Sequence, residues 1–399
     1  MAYRTIEGVP VWGKPLEEAV RQIGVCQQTA TQSALMADHH VGYSMPIGGV
    51  CTYADKISPS GIGYDISCGN KAVRTDAPAA EITANIETVM DDVWRTISFG
   101  IGMKNKERVH HPLFDDDPAW GIPVALNLAE MARDQLGTVG SGNHYVDLFV
   151  DEAERVWIGV HFGSRGFGHR LATHFIKAGG GSNAMHAAPV LFDADSETGR
   201  DYIACMQLAG RYAYAGRDWV CDRVAALLGA SILEEVHNHH NFAWRETHGG
   251  QSCWVVRKGA TPAFPGQRGF IGGSMGDLSV IVEGVDGDES AAALYSTVHG
   301  AGRVMSRTQA AGRRQWRKRK KGGKRGRAPG GEISREMMMD WVRREGVELR
   351  GAGTDESPHC YKRLPEVLQC HAGTIRILHT LRPIGVAMAG ADEHDPYRD

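Results

Sequence analysis

The chain has 399 residues, 42% of them hydrophobic and 23% charged, which is enough apolar content for one large domain or two closely joined ones. No basic leader precedes an apolar stretch and no run reaches the roughly 18 apolar residues of a membrane helix, while the eight cysteines form no CxxC pair; a spanning protein and a disulfide scaffold are set aside, and a cytoplasmic one is expected. The net charge of −3 hides an asymmetry, because ten basic residues and no acidic one fall within 313–327.

In chain order, residues 15–40 read as a helix or helix pair, with no proline after Pro15. The next stretch, up to Asn70, is punctuated by glycine and proline and favours irregular backbone. Residues 123–136 have Pro123 at a first helical turn and apolar residues at helical spacing. Strand-like runs rich in β-branched and aromatic residues follow at 156–162, 253–257 and 278–282. Between the first two, 200–236 reads as two helical segments broken near Gly216. A basic loop or surface insertion is expected at about 312–330, either solvated or the footprint of a polyanion. A helix at 333–344 and strand pieces in 374–388, split by Pro383, complete an α+β pattern without regular βαβ spacing.

The chemistry-bearing residues sit beside glycines and turn formers. Asp65 and Cys68 are three apart, with Gly69 leaving room for the chain to turn; His144 follows Asn143, His161 ends a strand-like run, and His240 lies between His239 and Asn241. A thiolate with imidazoles suits zinc, manganese, iron or cobalt, and an added carboxylate allows a second, harder site. Taken one at a time, Cys68 equally fits a small buried hydrophobe and His161 a hydrogen-bonded core histidine. Further along, His299 is followed by Gly300, Ala301, Gly302 and Arg303, where backbone N–H groups can approach a phosphate and the guanidinium can hold it. A neutral imidazole there could attack phosphorus and form a phosphoramidate; the plain alternative is a turn with a capping histidine. No GK[ST] follows, so this is not a Walker loop. The run 272–276, GGSMG, is a second backbone nest, and 257–261, RKGAT, adds positive charge.

These strings resemble the RtcB-type RNA ligases over most of the chain. DISCGN at 65–70, GSGNHY at 140–145, HFGSRGFGH at 161–169, HHNF at 239–242, RKGAT at 257–261, GGSMG at 272–276, HGAGRVMSR at 299–307 and ESPHCYK at 356–362 occur in the family's order. The resemblance implies a single large α+β domain spanning 1–399 with a central metal-binding cleft. It implies two Mn2+ ions bridged by Cys68, one completed by Asp65 and His144 and the other by His161 and His240. It makes His299 the residue guanylylated by GTP, with Asn143, Asp147, Ser274, Gly300, Ala301, Gly302, Arg303 and Tyr361 near the nucleotide. The implied reaction joins an RNA 3'-phosphate, or a 2',3'-cyclic phosphate first opened by water, to a 5'-hydroxyl end, as in tRNA splicing or RNA repair. It leaves room for an activating partner of the archease type.

The chain departs from the family's pattern at three places. Ala389 stands where the family carries lysine, Asp147 is one methylene shorter than a glutamate, and Ala215-Gly216-Arg217 replaces Ala-Asn-Arg, removing an amide from an expected nucleotide or phosphate contact. Two other readings therefore share the same metal residues: a divergent metal-dependent phosphoesterase or phosphoryltransferase without GTP-dependent ligation, and a non-catalytic RNA-binding protein whose cluster is structural.

Overall fold

Two large sheets, mostly antiparallel, form the body of the computed structural model, which describes residues 3–182, 184–312 and 330–391. One has six strands in the order Tyr3–Ile6, Val9–Trp12, Gln32–His40, Ile47–Tyr53, Gln251–Lys258 and Asn241–His248. The other runs Ile232–His239, Gly69–Pro78, Arg155–Phe162, Tyr145–Asp151, Ile375–Gly390, Ser279–Gly284 and Arg268–Ile271, with Glu348–Ala352 alongside Ile375–Gly390. This is the mixed α+β architecture the sequence pattern implies. The basic run at 313–327 lies outside the described residues.

Strand alternation decides which side chains reach the site. In Arg155–Phe162 the residues Val156, Ile158, Val160 and Phe162 face a core shared with Val220 and Val224 of the helix Glu197–Leu227. With a period of two, Trp157, Gly159 and His161 therefore fall on the opposite face. Gly159 is required there, because a Cβ would stand 2.6 Å from Phe149 and 2.9 Å from Phe270. The same alternation sends Val146, Leu148 and Val150 into the helix-covered core and leaves Tyr145 and Asp147 on the face of His161. Likewise Ala387 and Ala389 join that core, while Val386 and Met388 point the other way.

Three local expectations are corrected. The helix beginning near residue 15 covers only Glu17–Gln27, and Gln32–His40 is a strand. Its Ala, Leu and Met residues favour helix in isolation, but nearly every side chain of the segment is buried between neighbouring strands, and tertiary context overrides propensity. The stretch before Asn70 is not wholly irregular, since Ile47–Tyr53 pairs with both Gln32–His40 and Gln251–Lys258. Finally, 200–236 is one unbroken 31-residue helix, Glu197–Leu227, followed by the strand Ile232–His239. Gly216 does not interrupt it, because that face packs on Phe162 and Leu136, and the chain turns only at Gly229, at φ 64°.

No described helix is long and apolar enough to cross a membrane.

Candidate active site

Asp65 and Cys68 are brought together by a tight turn. The Cys68 N–H donates to the Asp65 carbonyl at 3.1 Å, with Ser67 in the left-handed region at φ 62°. That conformation costs a non-glycine residue on the order of 1 kcal/mol, the kind of strain that persists where surrounding structure enforces it. Two glycines make the room. A Cβ on Gly69 would lie 2.2 Å from the Asn238 carbonyl, and one on Gly163 would lie 2.1 Å from Asp65 Oδ1. Asn241, at the start of the strand Asn241–His248 and next to His240, ties the turn in place by donating from Nδ2 to the Asp65 carbonyl at 3.2 Å. The Cys68 carbonyl in turn accepts from the His240 N–H at 2.9 Å.

Around Cys68 the side chains converge as two overlapping groups, Asp65–Cys68–His144 and Cys68–His161–His240. Cys68 Sγ lies 3.6 Å from His144 Nε2 and 3.3 Å from His161 Nε2, and His144 Nε2 lies 3.0 Å from Asp65 Oδ2. A divalent ion bound to sulfur at about 2.3 Å and to imidazole nitrogen at about 2.0 Å sets its ligand atoms roughly 3.5 Å apart, so these separations suit shared ions. His240 Nδ1 is buried with no hydrogen-bond partner in the protein, a cost that a bound cation would remove. His144 Nδ1 donates to the Val139 carbonyl at 3.0 Å, so in the neutral ring Nε2 is the nitrogen open to a metal beside Asp65 and Cys68. The donor set fits divalent metal.

Electrostatics keep the groups in ligand form. Burial pushes the imidazoles of His161 and His240 far below their usual range, so both are neutral. Burial raises the Asp65 carboxyl, but the hydrogen bond and charge of His144, with Arg165 behind, outweigh it and hold the group at about 2. Burial pushes the Cys68 thiol well up, with Asp65 adding to the effect; a metal would have to displace that proton.

His299 faces this cluster, its ring 4.8 Å from that of His240. One oxygen of the fully buried Asp38 holds it. Oδ2 accepts from His299 Nδ1 at 2.6 Å, from the His299 N–H at 3.0 Å and from the Gly300 N–H at 3.3 Å. With Nδ1 as donor, the neutral form of the ring carries its lone pair on Nε2. Burial raises the Asp38 carboxyl, yet the charge and hydrogen bonds of His299 and the charge of Lys362 bring it below the usual value. Lys362 also fixes the strand itself, donating to the carbonyls of Ala37 and His39 at 2.8 and 2.9 Å.

A cavity of about 320 Å³ opens between the two sheets in front of these groups. Asp65, Cys68, His161, His240, Asn143, Asp147, Ser274, His299, Gly300, Ala301, Gly302, Arg303 and Tyr361 all line it, and His144 stands behind Cys68. The sequence-derived site residues are thus gathered in one place. Tyr145 Oη, Asp147 Oδ1 and Ser274 Oγ are buried in its wall with no protein partner. Burial pushes the Asp147 carboxyl well above the usual range.

Sequence reading missed Asp38, which holds His299, and gave no role to Tyr145, Arg307 and Glu356, which lie inside the strings quoted above and line the cavity. His39 and His40 beside Asp38 were the available signal. Arg303 lines the cavity with its guanidinium held by the protein: Nη1 donates to Tyr361 Oη at 2.9 Å and pairs with Glu356 at 3.3 Å, Nη2 donates to the Asp355 carbonyl at 2.8 Å, and Nε donates to the Met305 carbonyl at 3.2 Å. The Gly216 position is corrected, since its nearest neighbours are Phe162, Gly137 and Leu136 and it is not among the cavity residues. Ala389 packs in the helix-covered core, so the absent lysine leaves no opening in the cavity wall.

Comparison with known proteins identifies the family. A sequence model of the family described as tRNA-splicing ligase RtcB matches residues 19–125 and 122–389. The RNA-splicing ligase RtcB of Escherichia coli is 30% identical, across 95% of this chain and 97% of its own length. The tRNA-splicing ligase RtcB of Thermococcus kodakarensis is 30% identical across 89% of this chain and 87% of its own, and the RNA-splicing ligase RtcB of Mycobacterium bovis is 29% identical across 88% and 96%. The chain belongs to the RtcB tRNA-splicing ligase family.

Proposed function

We propose that this chain is a GTP- and manganese-dependent RNA ligase that joins a 3'-phosphate end to a 5'-hydroxyl end through a guanylate carried on His299. The observation that carries the reading is the placement of the His299 ring, with Nδ1 held by Asp38, against a cysteine, histidine and carboxylate cluster. Asp65, Cys68, His144, His161 and His240 would hold two divalent ions, which as Lewis acids polarise and align phosphate oxygens. The protein's own charges agree with a polyanionic substrate. Asp65 and the Cys68 thiolate are faced by the buried cations Arg165 and Arg217, so added divalent cations need phosphate to balance them.

His299 Nε2 attacks the α-phosphorus; the new N–P bond replaces the bond to the β-phosphate oxygen, and pyrophosphate leaves. Asp38 holds the Nδ1 proton throughout and balances the positive charge of the substituted ring. An RNA 3'-phosphate oxygen then takes the guanylate from His299, restoring the imidazole. The 5'-hydroxyl attacks the activated 3'-phosphorus, a phosphodiester forms and GMP departs. Tyr145, Asp147 and Ser274, unpartnered in the wall, supply the hydrogen-bonding edge for the base.

Incubation with manganese and GTP labelled at the α-phosphate, followed by denaturing electrophoresis, is expected to give a covalent adduct that His299→Ala loses. A labelled His299→Ala variant sinks the assignment. Cyclic-phosphate hydrolysis without any adduct would favour a phosphoesterase instead, and RNA binding without retained metal would favour a binding protein.

A further inference from the structure

Arg217 is fully buried on the helix Glu197–Leu227, and among the described residues no carboxylate forms an ion pair with it. Its guanidinium reaches three separate segments. Nη1 donates to the Ser67 carbonyl at 3.1 Å and to the Phe162 carbonyl at 2.6 Å, Nη2 donates to His239 Nδ1 at 3.0 Å, and Nε donates to His237 Nε2 at 2.8 Å. Ser67 precedes Cys68, Phe162 follows His161 and His239 precedes His240. One side chain therefore touches the chain neighbour of every group in the Cys68–His161–His240 cluster.

The acceptors are themselves fixed. His239 is stacked on Tyr214 at 4.1 Å and on Phe242 at 5.1 Å, and the Arg217 guanidinium lies 5.2 Å from the Tyr214 ring. A buried cation without a carboxylate partner is costly. Its retention is explained by geometry, because a planar fork can bond several carbonyls and ring nitrogens in fixed directions at once, which an ammonium cannot. His144 is oriented differently, by the Val139 carbonyl.

We propose that Arg217 is the positioning residue for the Cys68–His161–His240 half of the metal centre, fixing the mutual distances of its three ligands through their chain neighbours. The inference rests on the metal reading of that cluster. The test is a cobalt(II) titration of the metal-free, full-length protein, followed by the thiolate-to-cobalt charge-transfer band and the ligand-field bands. The wild type is expected to take up two ions. In Arg217→Lys the affinity of one site is expected to fall about 10- to 100-fold, with its ligand-field bands shifted, while the Asp65–Cys68–His144 site changes less.

Equal affinities and spectra in folded Arg217→Lys overturn the proposal. So does a lower melting temperature of the metal-free protein with the affinity ratio of the two sites unchanged, since that marks a merely structural role. Should Arg217→Lys not fold, His239→Leu decides. It removes one acceptor of the fork and spares every ligand, and an unchanged titration overturns the proposal while a weakened second site supports it. A wild-type protein that shows no thiolate-to-cobalt band fails earlier, at the metal reading itself, and is told apart by that.

Discussion

Asp151 closes the hairpin between the strands that lead out from His144 and into His161. Its Oδ1 accepts the N–H groups of Ala153 and Arg155 at 2.9 and 3.0 Å, and Oδ2 accepts from Arg155 Nε and the Trp157 indole, both at 2.8 Å. Burial raises its carboxyl, but the Trp157, Arg155 and Ala153 donors outweigh that and lower it. A carboxyl held lower in the folded chain contributes stability above its unfolded value of about 3.9 and loses it as pH falls. Asp151→Asn, which turns an N–H group toward donors, is expected to destabilise by about 2–3 kcal/mol at neutral pH. The gap to wild type should begin to narrow as pH falls through about 3.9 and close only once the lowered folded-state value is passed. Denaturation across that range is the check, and a gap that stays constant contradicts it. At this scale the candidate ligands, which the fold brings together, were legible because each sits in a short string at a turn or strand end. Asp38 was not: it meets His299 from 261 positions away, and nothing in a buried strand distinguishes that carboxylate before the chain is folded.

The elements were read well where β-branched and aromatic residues mark a buried strand and poorly where helix-favouring residues fill one. The runs at 156–162 and 253–257 fall inside strands, because their β-branched and aromatic residues pack on both faces. Gln32–His40 carries helix-favouring residues inside a sheet, and a single-sequence pattern has no access to the neighbours that hold it there. Gly216 misled in the other direction. A lone glycine lowers helix propensity by about 1 kcal/mol, yet burial of Tyr212, Val220 and Val224 on the same helix carries the segment through. A Cβ at 216 would meet Phe162 at 3.4 Å and Leu136 at 3.7 Å, ordinary contacts. Gly216→Ala is therefore expected to stabilise by about 0.5–1 kcal/mol and to leave guanylate adduct formation unchanged, since the position is outside the cavity. A lower melting temperature contradicts this.

Across the whole molecule the α+β class was legible, but the order of strands was not. Ile47–Tyr53 and Gln251–Lys258 are neighbours in one sheet, although about half the chain separates them. The charge asymmetry belongs to this scale as well. Without the ten basic residues of 313–327 the remaining chain is distinctly acidic, an unfavourable surface for RNA. Deleting 313–327 is expected to weaken RNA affinity and flatten its dependence on salt, with adduct formation from GTP little changed, because counterion release scales with phosphate contacts. Binding titrations at several salt concentrations test this; an unaltered slope would assign the run no phosphate contact.

His240 is the one residue between Ile232–His239, an edge strand of the eight-stranded sheet, and Asn241–His248, an edge strand of the six-stranded sheet. The chain passes from one half of the body to the other through a proposed metal ligand. Its partners Cys68 and His161 belong to the eight-stranded side, and His299, packed on Asp38, answers to the six-stranded one. Neither half owns a complete centre. On the proposed reading, a chain in which the two sheets have not yet met lacks the assembled site, so a substitution that loosens this seam is expected to abolish guanylate adduct formation before it unfolds either sheet.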